Sequence, residues 1–228
     1  MNTALILAGG TGTRLGGNLP KQYIEVAGRP VISYCLDIFE KHPDVDALRI
    51  VAEESWHGFI AEWTGRKFKG FSMPGQSRQL SIYNGLKDMM PGAGADDVVI
   101  IHDAARPMVT ERLISECIRA CTGHGGVMPA LSMKDTIYAS RDGRKISALL
   151  DRDGIYAGQA PEAFKLGQYY EANRELLPER ILKINGSAEP AVMAGMDIAM
   201  IPGDEGNFKI TTKADLERFR KLVGEKRF

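Results

Sequence analysis

The chain has 228 residues, of which 44% are hydrophobic and 25% charged, and its 29 basic residues balance its 29 acidic ones. This composition is typical of a globular α/β protein, and the zero net charge argues against binding nucleic acid or a membrane surface through bulk charge. Because no apolar stretch approaches the roughly 20 residues that cross a bilayer and no signal peptide is recognisable, we expect a cytoplasmic protein.

The first predicted element is a buried strand at residues 3–8, followed by a glycine-rich loop. Glycine lets several backbone N–H groups turn inward to form an anion site, and the nearby cations Arg14 and Lys21 suit a polyphosphate. No Walker pattern fits, and Leu15 stands where a dinucleotide loop has its third glycine. The alternative is a tight turn that needs glycine only for its backbone shape.

Helical and extended patterns then alternate along the chain. Predicted helices cover residues 30–41, 56–63, 77–90 and 110–121, and predicted strands cover 47–52, 68–73, 97–102 and 126–131. This alternation predicts a mostly parallel sheet with helices on both faces, which binds ligands beyond the carboxyl ends of its strands. Three candidate site segments follow such ends: the glycine loop, residues 102–106 and the region after Ala130.

Residues 134–157 interrupt the alternation and predict a β-hairpin around the turn at 141–144, which we expect to protrude as an arm. A helix at 164–177, a strand at 197–201 and a helix at 212–223 complete the predicted elements. Since no repeat, low-complexity tract or linker is present, we expect one domain over residues 1–228.

Asp103 follows the predicted strand at 97–102, where a carboxylate can hold Mg²⁺ against substrate phosphates. Its alternative role is to cap the next segment or to pair with Arg106. The polar groups of residues 75–81 could bind a nucleobase edge, or Gln76 and Ser77 could simply cap the helix.

Two isolated cations, Arg152 and Lys209, could clamp an acceptor phosphate, although most such residues only cover solvated surface. Cys117, Cys121 and His124 could form part of a metal site, but buried helix thiols are the favoured interpretation. No Ser-His-Asp set or Cys-His pair stands out, so covalent catalysis is not predicted.

In this order, the segments resemble the 2-C-methyl-D-erythritol 4-phosphate cytidylyltransferase family, which includes the closely similar ribitol 5-phosphate cytidylyltransferases. Each motif is weak by itself, but the ordered set spans nearly the whole chain and is specific. The matching residues are Ala8-Gly9-Gly10-x-Gly12-x-Arg14, Pro20-Lys21-Gln22-Tyr23, Gly75-x-x-Arg78-x-x-Ser81, His102-Asp103-Ala104-Ala105-Arg106-Pro107, Asp135-Thr136, Asp151-Arg152, Gln159-x-Pro161-x-x-Phe164 and Asn207-x-Lys209-Ile210-Thr211.

The resemblance implies a three-layer α/β sandwich of the nucleotide-diphospho-sugar-transferase type and a homodimer joined through the arm. It implies transfer of CMP from CTP to an alditol (polyol) phosphate, with Mg²⁺ as cofactor and release of pyrophosphate. Enzymes of this kind serve isoprenoid biosynthesis or supply cell-wall polyol phosphates.

The resemblance also implies roles for residues at matching positions. The implied CTP-binding residues are Leu7, Ala8, Gly9, Gly10, Gly12, Gly75, Gln76, Arg78, Ser81, Asp103 and Ala104. The implied catalytic residues are Arg14, Lys21, Arg152 and Lys209. The implied acceptor-binding residues are Asp103, Arg106, Thr136, Arg152 and Lys209. Asp103 would also lie next to the metal, and Thr136 and Arg152 would reach the site of a neighbouring subunit.

Three positions depart from the family pattern. Ala160 replaces a usual Thr, Glu162 replaces a Gln, and Asn185-Gly186 stands where the family commonly has Thr-Asp. Because a hydroxyl and a carboxylate are lost near the expected acceptor pocket, we predict an acceptor other than methylerythritol phosphate, such as ribitol 5-phosphate or another polyol phosphate.

Two other functions stay open at this point. One is a nucleotidyltransferase of the same fold that uses another base, or that acts on other sugar phosphates or the molybdenum cofactor. The other is a non-catalytic, nucleotide-binding regulatory protein, which the array of candidate cations argues against. A dehydrogenase is disfavoured because of Leu15.

Overall fold

The computed structural model describes residues 1–10 and 19–225, so Gly12 and Arg14 lie outside the described residues. The strands in this part are β1 (Asn2–Leu7), β2 (Glu25–Val26), β3 (Arg29–Pro30), β4 (Ala47–Val51), β5 (Phe68–Ser72), β6 (Val98–Asp103), β7 (Gly126–Ser132), β8 (Ile137–Ala139), β9 (Ala148–Leu150), β10 (Tyr156–Gly158), β11 (Glu162–Lys165) and β12 (Ile198–Pro202). The helices are α1 (Val31–Lys41), α2 (His57–Ala61), α3 (Arg78–Met89), α4 (Glu111–Cys121), α5 (Leu166–Arg174), α6 (Glu189–Met193) and α7 (Lys213–Glu225).

The main sheet is mixed, with a parallel half and a partly antiparallel half. Strands β5, β4, β1 and β6 lie side by side and parallel. Beyond β6, strand β11 runs antiparallel to both β6 and β7, and β12 pairs parallel with β7. Because the chain returns along β7 after the arm, β10 and β11 pair with it in the antiparallel sense. The expectation of a mostly parallel sheet is confirmed for the half that carries the glycine loop.

Helices cover both faces of the sheet, which confirms the predicted three-layer sandwich. Alternate residues of a strand point to opposite faces, so Ile6 packs with α1, α2 and α4, whereas Leu5 packs with α3, α5 and α6. A third, smaller cluster forms beneath α7 around Phe219. None of the described helices is long and apolar enough to cross a membrane.

Several element boundaries differ from the prediction. Residues 54–56 form a 3-10 turn, so α2 is shorter than the helix predicted at 56–63. The helix predicted at 164–177 was placed too early, because β11 occupies residues 162–165 and α5 begins only at Leu166. Four residues are too few for a strand period to be recognised when a helix follows directly.

The predicted hairpin is present, with β8 and β9 forming a separate two-stranded antiparallel sheet. Each strand has only three residues, and β10 belongs to the main sheet rather than to the arm. Large apolar side chains on the arm are exposed, among them Tyr138, Ile146 and Leu149.

Candidate active site

A cavity of about 450 Å³ opens at the carboxyl ends of the parallel strands. Leu7 is the register partner of both Val51 and Asp103, so β1, β4 and β6 end together at this edge. The lining residues come from six separate segments of the chain: Leu7, Gly9, Gly10, Lys21, Gln22, Val51, Glu53, Gly75, Gln76, Ser77, Arg78, Ser81, Asp103, Ala105 and Lys209. Two of the three segments predicted from strand ends therefore meet here, whereas the region after Ala130 does not line the cavity.

The backbone of the glycine loop is held by the 3-10 turn that follows it. The Gln22 side-chain amide donates hydrogen bonds to the carbonyls of Ala8 (2.6 Å) and Gly10 (2.7 Å), and the Tyr23 hydroxyl donates to Ala8 (2.9 Å). Burial raises the pKa of Tyr23 to about 12, so its hydroxyl stays protonated and able to donate. Neither Gln22 nor Tyr23 is among the predicted site residues. Their amide and hydroxyl groups directly follow Lys21 in the sequence, and this position could have indicated a role in the site.

Two glycines of the site allow close approach between loops. A Cβ on Gly9 would lie 2.6 Å from the Cβ of Pro74, and a Cβ on Gly75 would lie 2.9 Å from the Leu80 backbone. Gly9 therefore lies too close to Pro74, and Gly75 too close to the first turn of α3, for either position to carry a side chain.

The start of α3 combines helix capping with cavity lining. The Ser77 hydroxyl accepts a hydrogen bond from the Leu80 N–H at 3.1 Å, which confirms Ser77 as the cap. Ser81 accepts from the Gly75 N–H and donates to the Ser77 carbonyl, both at 2.9 Å. Gln76, the other predicted cap, makes no side-chain capping bond here and instead lines the cavity.

Asp103 is the centre of a buried charge cluster. Its Oδ1 accepts from Arg78 Nη2 (3.1 Å) and Nε (3.3 Å), and its Oδ2 lies 3.0 Å from Lys209 Nζ and 3.5 Å from Arg106 Nε. Burial by itself would raise the pKa of Asp103, but the three cations outweigh it and hold that pKa well below its usual range. The alternative of pairing with Arg106 is thus confirmed, although Arg106 is only one of three partners.

The segment before α7 carries Lys209 to this cluster. The Ile210 N–H donates to the Ala105 carbonyl (2.8 Å), and Arg106 donates to the Asn207 carbonyl (2.7 Å). The buried Asn207 side chain in turn donates to the Ala160 carbonyl (2.6 Å). These bonds place the Lys209 ammonium against Asp103.

His102 has a packing role rather than a catalytic one in this geometry. It is fully buried on the opposite face of β6, where its Nε2–H donates to the Arg106 carbonyl at 3.0 Å. Burial lowers the pKa of His102 to about 4, so the imidazole is neutral at pH 7 and adds no charge to the site.

Several predicted residues do not line the cavity within one chain. Thr136 and Arg152 are exposed on the arm, and Arg152 donates to the Lys134 carbonyl at 2.8 Å. Arg106 pairs with Asp103 but does not line the cavity itself. The backbone N–H groups of Ala8 and Ala104 donate to the carbonyls of Val51 and Leu7, at the ends of neighbouring strands.

The cysteines confirm the interpretation as buried thiols. Cys117 and Cys121 are fully buried in the core on the α4 face, whereas His124 is exposed and pairs with Asp197 at 2.6 Å. Among the described residues, no group of three or more His, Cys, Asp or Glu side chains is placed to hold a metal ion.

Two buried residues near the cluster are absent from the predicted site. Glu162 on β11 lies close enough to Arg78 and Asp103 for their charges to act on its carboxyl, and Ser187 accepts a hydrogen bond from Arg78 Nη1 at 2.5 Å. In the sequence, Glu162 stands out only as a departure from the family pattern. Ser187 had no sequence signal, because its contact with Arg78 spans more than a hundred residues of chain.

Comparison with known proteins gives a consistent result. The family model described as "IspD: 2-C-methyl-D-erythritol 4-phosphate cytidylyltransferase" matches residues 2–225. A 2-C-methyl-D-erythritol 4-phosphate cytidylyltransferase of Rubrobacter xylanophilus is 37% identical, covering 93% of this chain and 90% of the relative. A ribitol-5-phosphate cytidylyltransferase of Lacticaseibacillus paracasei is 30% identical, covering 99% of both chains. The crystal structure of the Francisella tularensis 2-C-methyl-D-erythritol 4-phosphate cytidylyltransferase matches with a TM-score of 0.84 at 25% identity, covering 96% of this chain and 98% of that one.

Proposed function

The chain belongs to the 2-C-methyl-D-erythritol 4-phosphate cytidylyltransferase family, and we propose that it moves CMP from CTP to the phosphate of a polyol phosphate, with release of pyrophosphate. Its membership makes it a nucleotidyltransferase that acts on a sugar or polyol phosphate. The proposal adds the donor, the leaving group and the roles of individual residues.

The observation that carries the proposal is the set of cations in one cavity. Lys21, Arg78 and Lys209 line the space below the glycine loop, and Asp103 is the carboxylate that fixes two of them. An acceptor phosphate and a triphosphate repel each other, so a site that joins them must supply fixed positive charge. The nucleotide would lie between the glycine loop and residues 75–81.

In the proposed reaction, an oxygen of the acceptor phosphate attacks the α-phosphorus of CTP in line. The new P–O bond forms as the bond to the β-phosphate oxygen breaks, and that oxygen leaves with its electron pair as part of pyrophosphate. Because an ionised phosphate is already a nucleophile, no general base is needed. Lys21 and Lys209, together with Arg14, would neutralise the charge that builds up around the α-phosphorus.

The donor set fits a divalent cation carried by the triphosphate. Mg²⁺ is usually held by one or two carboxylates together with substrate phosphates and water. Asp103 would supply the protein carboxylate. Its Oδ2 atom also lies 3.0 Å from the Lys209 ammonium. When bound, Mg²⁺ would screen phosphate charge and orient the triphosphate.

We further propose that the acceptor differs from methylerythritol phosphate, with ribitol 5-phosphate as the first candidate. The Ala160 methyl group is buried and can donate no hydrogen bond, and nothing lies within 4 Å of where a Gly186 Cβ would be. The chain therefore lacks the hydroxyl and the carboxylate that the family commonly has at positions 160 and 186. The relatives include enzymes named for ribitol 5-phosphate and enzymes named for 2-C-methyl-D-erythritol 4-phosphate. Our proposal for the acceptor of this chain therefore depends on these two positions.

We also propose that the chain is one nucleotidyltransferase domain that works as a homodimer. The exposed apolar residues of the arm offer a surface for a second copy. Thr136 and Arg152 on this arm would then contact the acceptor in the partner's cavity.

The function is tested by measuring pyrophosphate release with CTP, GTP, UTP and ATP against ribitol 5-phosphate, methylerythritol phosphate and other polyol phosphates. Turnover restricted to CTP with ribitol 5-phosphate is expected. Efficient use of methylerythritol phosphate would contradict the acceptor assignment. CTP binding without pyrophosphate release across the whole panel would contradict catalysis and favour a regulatory protein.

A further inference from the structure

A buried carboxyl group that the proposed mechanism does not use lies behind the charge cluster. Glu162 is only 6% exposed and is the register partner of Ile101 on β6. Ile101 and Asp103 are two residues apart on the same strand, so Glu162 and Asp103 project from the same face of the sheet as diagonal neighbours.

The guanidinium of Arg78 is held from two sides. Asp103 Oδ1 accepts from its Nε and Nη2, while the Ser187 hydroxyl accepts from its Nη1 at 2.5 Å. An arginine has five N–H groups, and these three contacts occupy three of them. Since Arg78 also lines the cavity, the remaining N–H groups are available to an anion there.

Ser187 connects Arg78 to Glu162. Ser187 is 3% exposed and Glu162 is 6% exposed, and both lie beside the Arg78 guanidinium. A serine hydroxyl that accepts one hydrogen bond still has a proton to donate to a carboxyl. The Ser187 backbone is fixed separately, because its carbonyl accepts from the Tyr169 hydroxyl at 2.7 Å. Changing Glu162 would therefore alter the orientation of the Ser187 hydroxyl rather than the path of the chain.

Packing gives no reason for a carboxyl group at this position. Burial raises the pKa of Glu162 to about 7 in spite of the nearby Arg78, and its Oε2 has no hydrogen-bond partner among the described residues. Such a group destabilises a fold, and buried carboxyls that persist in clefts are concentrated at functional sites.

We propose that Glu162 is a positioning residue that acts through Ser187 to hold the Arg78 guanidinium against Asp103, with its free N–H groups toward the nucleotide phosphates. The identity of the anion rests on the proposed function, but the immobilisation of Arg78 is a property of the free protein. The two claims can therefore be measured separately.

The test compares Glu162→Leu, which removes the acceptor, with Glu162→Gln, which keeps an acceptor oxygen of the same shape, and with Ser187→Ala. In the free protein, hydrogen exchange of the Arg78 Nε–H is followed by NMR. With CTP, KM and kcat are measured separately. We expect Glu162→Leu and Ser187→Ala to speed Nε–H exchange and to raise the KM for CTP, each about tenfold, as the loss of one charge-assisted hydrogen bond would. Glu162→Gln should stay within about twofold of wild type in both.

Wild-type exchange and KM in either Glu162→Leu or Ser187→Ala would overturn the proposal, as would Glu162→Gln behaving like Glu162→Leu. Circular dichroism checks folding, and Glu162→Ala takes the place of Glu162→Leu if the latter does not fold. If the wild-type protein released no pyrophosphate from CTP, the proposed function would fail, while the exchange measurement would still decide whether Glu162 positions Arg78.

Discussion

The ammonium of Lys209 lies 3.0 Å from the carboxylate of Asp103, although the two residues come from distant parts of the chain. Arg78 and Arg106 approach the same carboxylate, so this acidic group contacts three cations in a buried position. Such an arrangement keeps positive charge ready for phosphates, but it makes the fold dependent on Asp103.

Asp103→Asn should destabilise the protein by about 3 kcal/mol at neutral pH, because it removes the one carboxylate that contacts all three cations. The folded-state pKa of Asp103 is lowered, so its stabilisation is present above the unfolded value of 3.8 and is lost as the pH falls through the folded-state value. The difference between wild type and variant in urea unfolding should therefore shrink as the pH falls below 4. An undiminished difference in acid would contradict the charge-cluster interpretation.

Lys21→Ala should lower kcat on the order of 10²-fold or more, since it removes one preorganised donor from the reacting phosphates. Steady-state pyrophosphate release measures this loss. Lys221→Ala, at an exposed position on α7, is the matched control and should keep wild-type turnover. Turnover near the wild-type level in Lys21→Ala would mean that the assigned role is wrong.

Gln22→Leu should raise the KM for CTP more than it lowers kcat. The change keeps the side-chain size but removes both hydrogen bonds that fix the carbonyls of Ala8 and Gly10. The lost bonds should reduce the free energy of unfolding by about 1–3 kcal/mol, measured by urea denaturation. Gln168→Leu, at an exposed site away from this cavity, is the control. An unchanged KM for CTP in Gln22→Leu would show that the glycine loop does not depend on this amide.

Complementation between inactive variants tests whether the arm acts in the partner's site. If Arg152 serves a neighbouring subunit, a random mixture of Lys21→Ala and Arg152→Ala chains should regain about a quarter of wild-type activity, because each mixed dimer has one intact site. The mixture is made by co-refolding and assayed at equal total protein. No recovery above the separate variants would mean that Arg152 acts within its own chain or not at all.

Local sequence patterns were sufficient to predict those elements that depend only on residues close together in the chain. The apolar run before the glycine loop gave β1, and the Thr110 cap with its helical period gave α4, because each depends on neighbouring residues. The pairing of Asp103 with Arg106 was predicted from their closeness in sequence, but its contacts with Arg78 and Lys209 could not be, since these depend on sheet order and loop packing. The family resemblance implied that both residues belong to the site, but it did not predict that they contact Asp103. The roles of Glu162 and Ser187 could not be predicted either, because their contacts also join distant parts of the chain. Strand β11 was too short to show a strand period.

Glu162→Gln should stabilise the protein at pH 8 relative to wild type, and this gain should shrink toward pH 5. Burial raises the folded-state pKa of Glu162 to about 7, above the unfolded value of 4.5. Between these values the folded state binds more protons than the unfolded state, so wild-type stability falls as the pH rises from 4.5 to 7 and then levels off. Glutamine carries no titrating proton and escapes this loss. Urea unfolding at pH 5, 6, 7 and 8 measures the difference, and Glu62→Gln, at an exposed position, controls for the loss of one negative charge. A stability difference between Glu162→Gln and wild type that does not change with pH would show that this carboxyl is not held in a desolvated environment, because desolvation is what separates the two pKa values.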